Sequence, residues 1–406
     1  MATFDQQKLD NQNGKEKLLN LFASISLREQ LIVFLSAIIY GPVQKADLEC
    51  CLAKTADYPT SADDITAESL SNSLRRLQNL NLLNWKLQCN PLIVELISQK
   101  AVRAGCHQEL AAIVRQELPV DEEQGKKSIR CLRDVRIGLY NNDFDLFNRS
   151  LYQYYQCPDV PESAAPLATI FNNPFEPKWF STLPPYLQLH GLREIFQESL
   201  IRLTSCDGPL DFLLHKEKEK DIPAGGESSF YYLLISQLML RGRITQSTAM
   251  ITRAGKNIYG FGLRGWLEFL QGHNDRALIF FNEDLTELKK IQDQKNVFFT
   301  GPEGLFYILA MLTSGDYSLN KKIKHIIVEL NSKQNSTVFL PAYNILTEVA
   351  DFQTTFSETN YCNCWQPGGK NSISALFQGM AHFWINGYLE TEQKDEIVIF
   401  FQHLKK

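Results

Sequence analysis

The pair Cys362-Asn-Cys364 is the first candidate for metal chemistry in this sequence. Thiolates are preferred ligands of Zn²⁺, and His382 or His403 could complete a ligand set. Structural zinc sites usually combine two Cys-x(2–4)-Cys halves, whereas this chain has one Cys-x-Cys and no second half. Cys362 and Cys364 are therefore weak metal candidates, and we expect neither a metal nor a cofactor.

Two other segments look like catalytic motifs but do not meet their requirements. Gly368-Gly-Lys-Asn-Ser372 departs from the phosphate-binding loop, which needs Gly, four residues and Gly-Lys, followed directly by Ser or Thr. Cys106-His107 places a thiol next to an imidazole in the sequence, but neighbouring residues of a helix do not face each other. No Asp or Asn partner can be assigned to this pair. The sequence therefore predicts no catalytic residue and no enzyme.

The polar face of one predicted helix could contact DNA. Leu70, Leu74 and Leu77 recur at helical spacing and would face the core. The candidate DNA-binding residues are the outward positions of that helix and one lysine of the following stretch: Asn72, Arg75, Arg76, Asn79 and Lys86. The cations would contact phosphates, and an asparagine would contact a base edge.

The elements that must position these residues have the order of a winged helix. Helices are predicted at about 26–40, 44–53 and 66–79, followed by a strand-like stretch at Leu82–Gln88. Residues 1–105 contain eleven Lys or Arg and eleven Asp or Glu, whereas a DNA reader usually carries a surplus of positive charge. We therefore favour a structural or protein-contacting winged helix and keep contact with double-stranded DNA as the alternative.

A helix–turn–helix pattern recurs in the second half of the chain. Its clearest copy has small residues, a turn glycine and an aromatic at tetratricopeptide-like spacing, namely Gly265, Gly272, Ala277 and Phe281. Small residues would let the two helices approach, and the glycine would open the turn. Gly242 and Gly315 mark the turns of neighbouring pairs. Because each pair leaves one apolar face, the pairs are expected to stack into an α-solenoid.

The predicted fold class is all-α: an N-terminal winged-helix-like domain followed by a tetratricopeptide-like α-solenoid. The expected segments are a frayed polar tail at 1–16, the winged-helix-like domain at 17–116, a first helical-repeat segment at 127–215 and the solenoid at 227–406. The first boundary rests on a polar linker at 117–127 that contains Pro and Gly.

Composition points to a globular protein with enough apolar residues for a core, at 44% hydrophobic and 21% charged residues. The net charge of -5 argues against a protein wrapped in nucleic acid. No basic-then-apolar signal pattern opens the chain, and the longest apolar run, Leu31–Tyr40, is too short to cross a bilayer. Nine scattered cysteines favour reduced thiols. We expect a cytoplasmic protein without membrane contact.

Three segments resemble the N-terminal helical half of bacterial Swi/Snf-type helicases: Pro174–Pro185, Gly265–Ala277 and Val297–Tyr307. The resemblance covers roughly residues 130–390 and consists of packing patterns. In that family the region precedes an ATP-driven motor that translocates on double-stranded DNA. The order of winged helix and repeats also resembles the non-motor arms of signal-transducing nucleotide-switch ATPases. This chain contains no phosphate-binding loop and no Asp-Glu-x-His-type box, so motor activity is not implied.

The sequence therefore favours a non-enzymatic protein-binding scaffold or adaptor. The resemblance implies an accessory region or partner of a DNA translocase, with the ATPase motor in the same chain or in another. The alternative is a DNA-binding winged-helix regulator. A third hypothesis, an enzyme or metal protein using Cys362 and Cys364, ranks last.

Overall fold

The computed structural model describes residues 4–55, 67–120, 127–161, 164–294, 297–332 and 339–355, with short stretches at 376–377, 379–380, 394–395 and 397–399. Over these ranges the chain is helical and has no β-strand, which confirms the predicted all-α class. It divides into two compact units, Met1–Pro166 and Leu167–Lys406. The predicted domain limits remain predictions; part of the linker at 117–127 lies outside the described residues.

The first unit consists of eight helices over its described residues. They are α1 Phe4–Ser24, α2 Leu27–Ile39, α3 Lys45–Ala53, α4 Ala67–Asn79, α5 Val94–Arg103, α6 His107–Glu117, α7 Lys127–Tyr140 and α8 Phe144–Tyr155. Helix α2 is central, because α3, α5, α6 and α7 all pack against it. Its nearly continuous apolar sequence accounts for that position, and its start is fixed by the predicted capping box of Ser26 and Glu29.

The polar first sixteen residues were expected to be a frayed tail, and this expectation is wrong for the described part. Helix α1 begins at Phe4 and continues through Ser24. Its second half contains Leu18 and Phe22, which are buried in the core of the first unit. Once that half is held by packing, each preceding residue adds a backbone hydrogen bond, so the polar turns extend the helix.

The strand-like stretch at Leu82–Gln88 forms a tight hairpin turn instead of a strand. Its only β-type pairing is an isolated antiparallel bridge between Leu83 and Cys89. The alternation that suggested a strand arises because the leucines at 82, 83 and 87 are buried while Trp85 and Lys86 are exposed. The turn follows α4 directly and leads into α5.

The second unit continues with helices in pairs. The helices are α9 Pro166–Phe171, which begins at the last residue of the first unit, α10 Pro177–Phe180, α11 Pro185–Arg202, α12 Asp207–Lys218, α13 Glu227–Leu240, α14 Ile244–Ala254, α15 Leu263–Leu270, α16 Asn274–Gln292, α17 Pro302–Thr313, α18 Asn320–Ser332 and α19 Leu340–Thr355. Short 3₁₀ turns at Gly255–Ile258 and Tyr317–Leu319 separate some of them. Helix α12 and, in the first unit, α6 were not anticipated from the sequence.

The contacts within the second unit follow a regular order. Helices α11, α13, α15, α17 and α19 form a row in which each packs against the next. The second helix of each pair also packs on the first helix of the following pair, as α14 does on α15, α16 on α17 and α18 on α19. Each pair therefore buries its apolar face against its neighbour.

The turns within three pairs share one hydrogen-bonding pattern. A left-handed residue, Asn142, Gly242 or Gly272, ends the first helix with φ of 55°, 66° or 81°. The next N–H then bonds to the carbonyl five residues back: Asp143 to Gly138, Arg243 to Leu238 and His273 to Glu268, at 2.8 to 2.9 Å. This is the Schellman arrangement, and it satisfies carbonyls at the helix end. Pair α7–α8 in the first unit thus has the same turn as α13–α14 and α15–α16.

Close approach inside the α15–α16 pair depends on Gly265. A Cβ placed at that position would lie 2.5 Å from Cγ of Phe281, so any side chain would collide with this ring. Ala277 and Phe281 are fully buried on the facing helix. The small residue and the aromatic thus have the packing roles that their spacing predicted.

Candidate binding surface

Helix α4 separates its apolar and polar residues as predicted. Leu70, Leu74 and Leu77 are buried in the core of the first unit. Asn72, Arg75, Arg76 and Asn79 are exposed on the opposite side. The i, i+3, i+7 spacing places Asn72, Arg75 and Asn79 on one face of the helix. The structure therefore brings the predicted helical positions together at the surface.

Arg76 differs from the other predicted residues because it has an internal partner. Its Nη1 lies 3.3 Å from both carboxylate oxygens of Glu29 on α2. Glu29 is buried and also caps α2 through Ser26. The Arg76 side chain is still 60% exposed, so this pair adds little stability. Its positive charge is nevertheless partly neutralised by Glu29.

Two cations attach α4 to the preceding helices. Arg28 of α2 donates from Nη2 to Oγ of Ser69 at 2.8 Å. Lys45 of α3 donates from Nζ to Oγ of Ser71 at 2.7 Å. These bonds fix the first half of α4 relative to α2 and α3, so its exposed face is presented by a positioned helix.

The hairpin turn after α4 carries an aromatic residue that was not among the predicted binding residues. Trp85 is 80% exposed, and Nζ of Lys86 lies 4.8 Å from its ring centroid. Lys86 itself, a predicted DNA-binding residue, is exposed. The signal in the sequence was an aromatic at an outward position of an alternating stretch, between Asn84 and Lys86. The arrangement combines cations, amides and one flat apolar ring.

A buried charge cluster joins α7 to α2 and α5, and it was also missed. Arg136 forms a bidentate ion pair with Glu95 at 3.0 Å, and both side chains are at most 2% exposed. Arg136 further donates to the carbonyl of Ala37 and to Ser98, while Tyr140 donates to Glu95 at 2.7 Å. Burial, followed by the charge of Glu95, raises the pKa of Tyr140 well above its ordinary value. Every charge here is compensated internally, so the cluster is structural.

The thiol and imidazole of Cys106-His107 point to different partners, as expected for sequence neighbours on a helix. Cys106 donates to the carbonyl of Ala101 at 3.4 Å. His107 donates from Nδ1 to Oδ1 of Asn141 at 2.7 Å. Burial lowers the pKa of His107 to about 4, which keeps the ring neutral. Burial likewise raises the pKa of the Cys51, Cys89 and Cys131 thiols to about 12, so these cysteines are poor nucleophiles.

A buried carboxylate in the second unit also has a structural role. Glu303, at the start of α17, accepts from Tyr232 at 2.8 Å and from the N–H of Gly301 at 3.0 Å. Burial raises its pKa. Tyr343 of α19 donates to the carbonyls of Phe299 and Gly301. These bonds pair backbone groups of the loop before α17, and they connect three helices of the row.

Cys362 and Cys364 lie outside the described residues, as do His382, His403 and the glycine pair at 368–369. Within the described ranges, no group of three His, Cys, Asp or Glu side chains is arranged to hold a metal ion. In the same ranges, none of the helices combines the length and apolarity needed to cross a membrane.

Comparison of the chain with protein-family models, with curated proteins and with solved structures finds no match.

Proposed function

We propose that this protein is a non-enzymatic protein-binding scaffold. The observation that carries the proposal is the row α11–α13–α15–α17–α19, in which each helix packs on the next and two successive pairs, α13–α14 and α15–α16, have the same turn. This row supports the proposal of a tetratricopeptide-like α-solenoid, an architecture whose extended surface is used for protein recognition. The first unit is proposed to be a winged-helix-like module, because α2, α3 and α4 are followed by a hairpin turn.

The proposed partner is a DNA translocase of the Swi/Snf type. Support comes from the sequence resemblance, which rests on segments that form α10, α15 with the start of α16, and the start of α17. These are packing segments in the structure, since Gly265, Ala277 and Trp266 are buried. The scaffold would bind the motor or, if the motor is in the same chain, hold it against a further protein.

The test is the ATPase rate of a purified Swi/Snf-type motor from the same organism, measured with and without this chain. We expect the ATPase rate to change with the concentration of the chain until it reaches a plateau. The reason is that a bound scaffold shifts the equilibrium between the motor's conformations. Serum albumin at the same concentration is the control. An unchanged rate, together with no co-elution of the two proteins, would refute the assignment of this partner.

The second candidate function, a DNA-binding regulator, is favoured by the exposed polar face of α4. Arg75 and Lys86 are exposed cations, and Asn72 and Asn79 are exposed amides on the same helix as Arg75. Arg76 contributes less because Glu29 shares its charge.

The salt dependence of duplex binding tests this second function. We expect Arg75→Ala to reduce the slope of log K against log salt by about 1, as for one lost phosphate contact, and Arg76→Ala to reduce it less. Lys54→Ala, an exposed cation at the end of α3, is the matched control. Equal effects of all three substitutions, or no binding by the wild type, would contradict a DNA-reading face on α4.

A further inference from the structure

Trp85 is an indole that is exposed on the turn after α4. Among residues 67–101, all of them described, it is the one large apolar side chain that is exposed. The residues beside it in the turn are Asn84 and Lys86, and the ammonium of Lys86 lies over the ring, 4.8 Å from its centroid. Because 80% of the side chain is exposed, the ring at the tip of the turn is accessible to a partner.

The turn fixes the backbone that carries the indole. Asn84 accepts from the N–H of Lys86 at 2.8 Å and from the N–H of Gln88 at 3.1 Å through the same Oδ1. The backbone N–H of Asn84 donates to the carbonyl of Gln88 at 2.9 Å. The backbone N–H of Val43 donates to the carbonyl of Lys86 at 3.2 Å. Leu83 and Leu87, on either side, are buried in the core. The backbone that carries the ring is therefore in place before any partner binds, which lowers the entropic cost of binding.

The same turn is attached to the end of α4 that carries the polar face. Nε2 of Gln78 donates to the carbonyl of Asn84 at 3.3 Å. Asn79 is the next residue along the helix, and Arg75 lies one turn before it on the same side. The exposed cations Arg75 and Lys86 thus lie on the helix and the turn that this bond connects.

The chemistry of this surface fits a nucleic acid better than a protein. The core of a protein interface is a cluster of apolar side chains, whereas here one aromatic is surrounded by amides and cations. A single aromatic beside cations is the arrangement that stacks on an unpaired base while the cations contact phosphates. Base pairs inside a duplex are stacked on each other, so the partner must expose a base face.

We propose that Trp85 stacks on an unpaired base at a junction between single-stranded and double-stranded nucleic acid, with the duplex lying along the polar face of α4. This inference rests on the second candidate function and deepens it, because it specifies which nucleic acid structure is preferred. The protein would then bind a duplex with a single-stranded overhang more tightly than the same duplex with a blunt end.

The experiment is fluorescence polarisation with two labelled DNA hairpins that share one stem and whose loop is replaced by a non-nucleotide linker, so that the loop offers no unpaired base. One hairpin is blunt and the other has a single-stranded overhang. We expect the wild-type chain to bind the overhang hairpin roughly tenfold more tightly, the order of one stacked base. Trp85→Ala should bring the overhang hairpin to the affinity of the blunt one, and Trp85→Phe should keep part of the difference. Tyr152→Ala, which removes another exposed aromatic of the first unit, is the matched control and should change neither affinity.

The outcomes separate this inference from duplex binding itself. Equal affinity of the wild type for both hairpins, or a preference that survives Trp85→Ala, overturns the stacking role while duplex binding by α4 stands. Failure of the wild type to bind either hairpin overturns both. If neither hairpin binds and Trp85→Ala instead weakens binding of the motor protein, the indole is a protein anchor. An unchanged thermal transition of Trp85→Ala, expected for an exposed side chain, shows that folding is intact.

Discussion

The Arg136 guanidinium is the clearest example of a charge whose function is to hold helices together. It is buried with Glu95 of α5, to which it is bonded, and it also donates to the carbonyl of Ala37 on α2; Tyr140 of its own helix donates to the same Glu95 carboxylate. Replacing one member of such a pair leaves the other charge buried and uncompensated, which costs far more than the net contribution of the intact pair.

We expect Arg136→Met to lower the free energy of unfolding by about 3–5 kcal/mol. The measurement is urea denaturation followed by circular dichroism. The double variant Glu95→Leu/Arg136→Met is the control and should recover most of the loss, because no charge then remains buried. A cost below about 1 kcal/mol for the single variant would mean that Glu95 finds another partner or water.

His107 predicts how stability depends on pH. Its folded pKa of about 4 lies below its ordinary value of 6.5, so between these values only the unfolded chain takes up a proton. Folding stability contributed by neutral His107 is therefore complete above pH 6.5 and is lost as the pH falls towards 4. The loss should be roughly 2–3 kcal/mol.

The measurement is the free energy of unfolding at several pH values for the wild type and His107→Phe. Phenylalanine keeps a ring against Tyr140 but does not titrate. As the pH falls from 6.5 to 4, the wild type should lose free energy of unfolding that His107→Phe retains. The variant should therefore become more stable relative to the wild type. A constant difference would show that His107 titrates normally in the folded state.

For single residues, the sequence predicted which side chains are exposed better than it predicted which side chains contact each other. The spacing of Leu70, Leu74 and Leu77 was enough to place Asn72 and Arg75 outward. It could not show that Arg76 pairs with Glu29, because that contact joins residues 47 positions apart. Arg136 and Glu95 were missed for the same reason: a buried ion pair has no local pattern when its members lie on different helices.

At the scale of elements, Gly265 tests the packing of a helix pair. We expect Gly265→Ala to destabilise the second unit by about 1–3 kcal/mol, because the new methyl group would collide with the Phe281 ring. Thermal unfolding is the measurement. Leu270→Ala, at a partly exposed position of the same helix, should change stability by about 0.5 kcal/mol or less.

A second substitution distinguishes this collision from a general effect of alanine. The smaller side chain of Phe281→Leu should make Gly265→Ala less costly than it is in the wild-type background, since the two positions are in contact. Strictly additive costs would contradict the close approach of α15 and α16 at this point.

Elements with a local signature were predicted well, and those without one were not. The capping box of Ser26 and the turn glycines Gly242 and Gly272 each act within a few residues, so the sequence shows them directly. Helix α12 was missed because its charged end, Lys216–Lys218, looked like part of a loop. The hairpin turn was mistaken for a strand because alternation of buried and exposed residues is shared by both.

At the scale of the molecule, the two compact units suggest a division of labour. The first unit presents a polar helix face and an exposed indole, and the second presents a row of stacked helix pairs. A scaffold of this kind would combine contact with a motor and contact with the nucleic acid on which the motor acts. The sequence could show the repeated pairs, and it points to a partner only through a resemblance of packing segments, because the residues that shape a binding surface follow no fixed spacing.

Binding to the motor is the most direct test of the scaffold proposal, and sedimentation velocity measures it without a label. The full chain is mixed with increasing amounts of a purified Swi/Snf-type motor from the same organism, without nucleotide or DNA. We expect a new, faster-sedimenting species that saturates at a fixed ratio of the two proteins. Two independent boundaries at every ratio would contradict it.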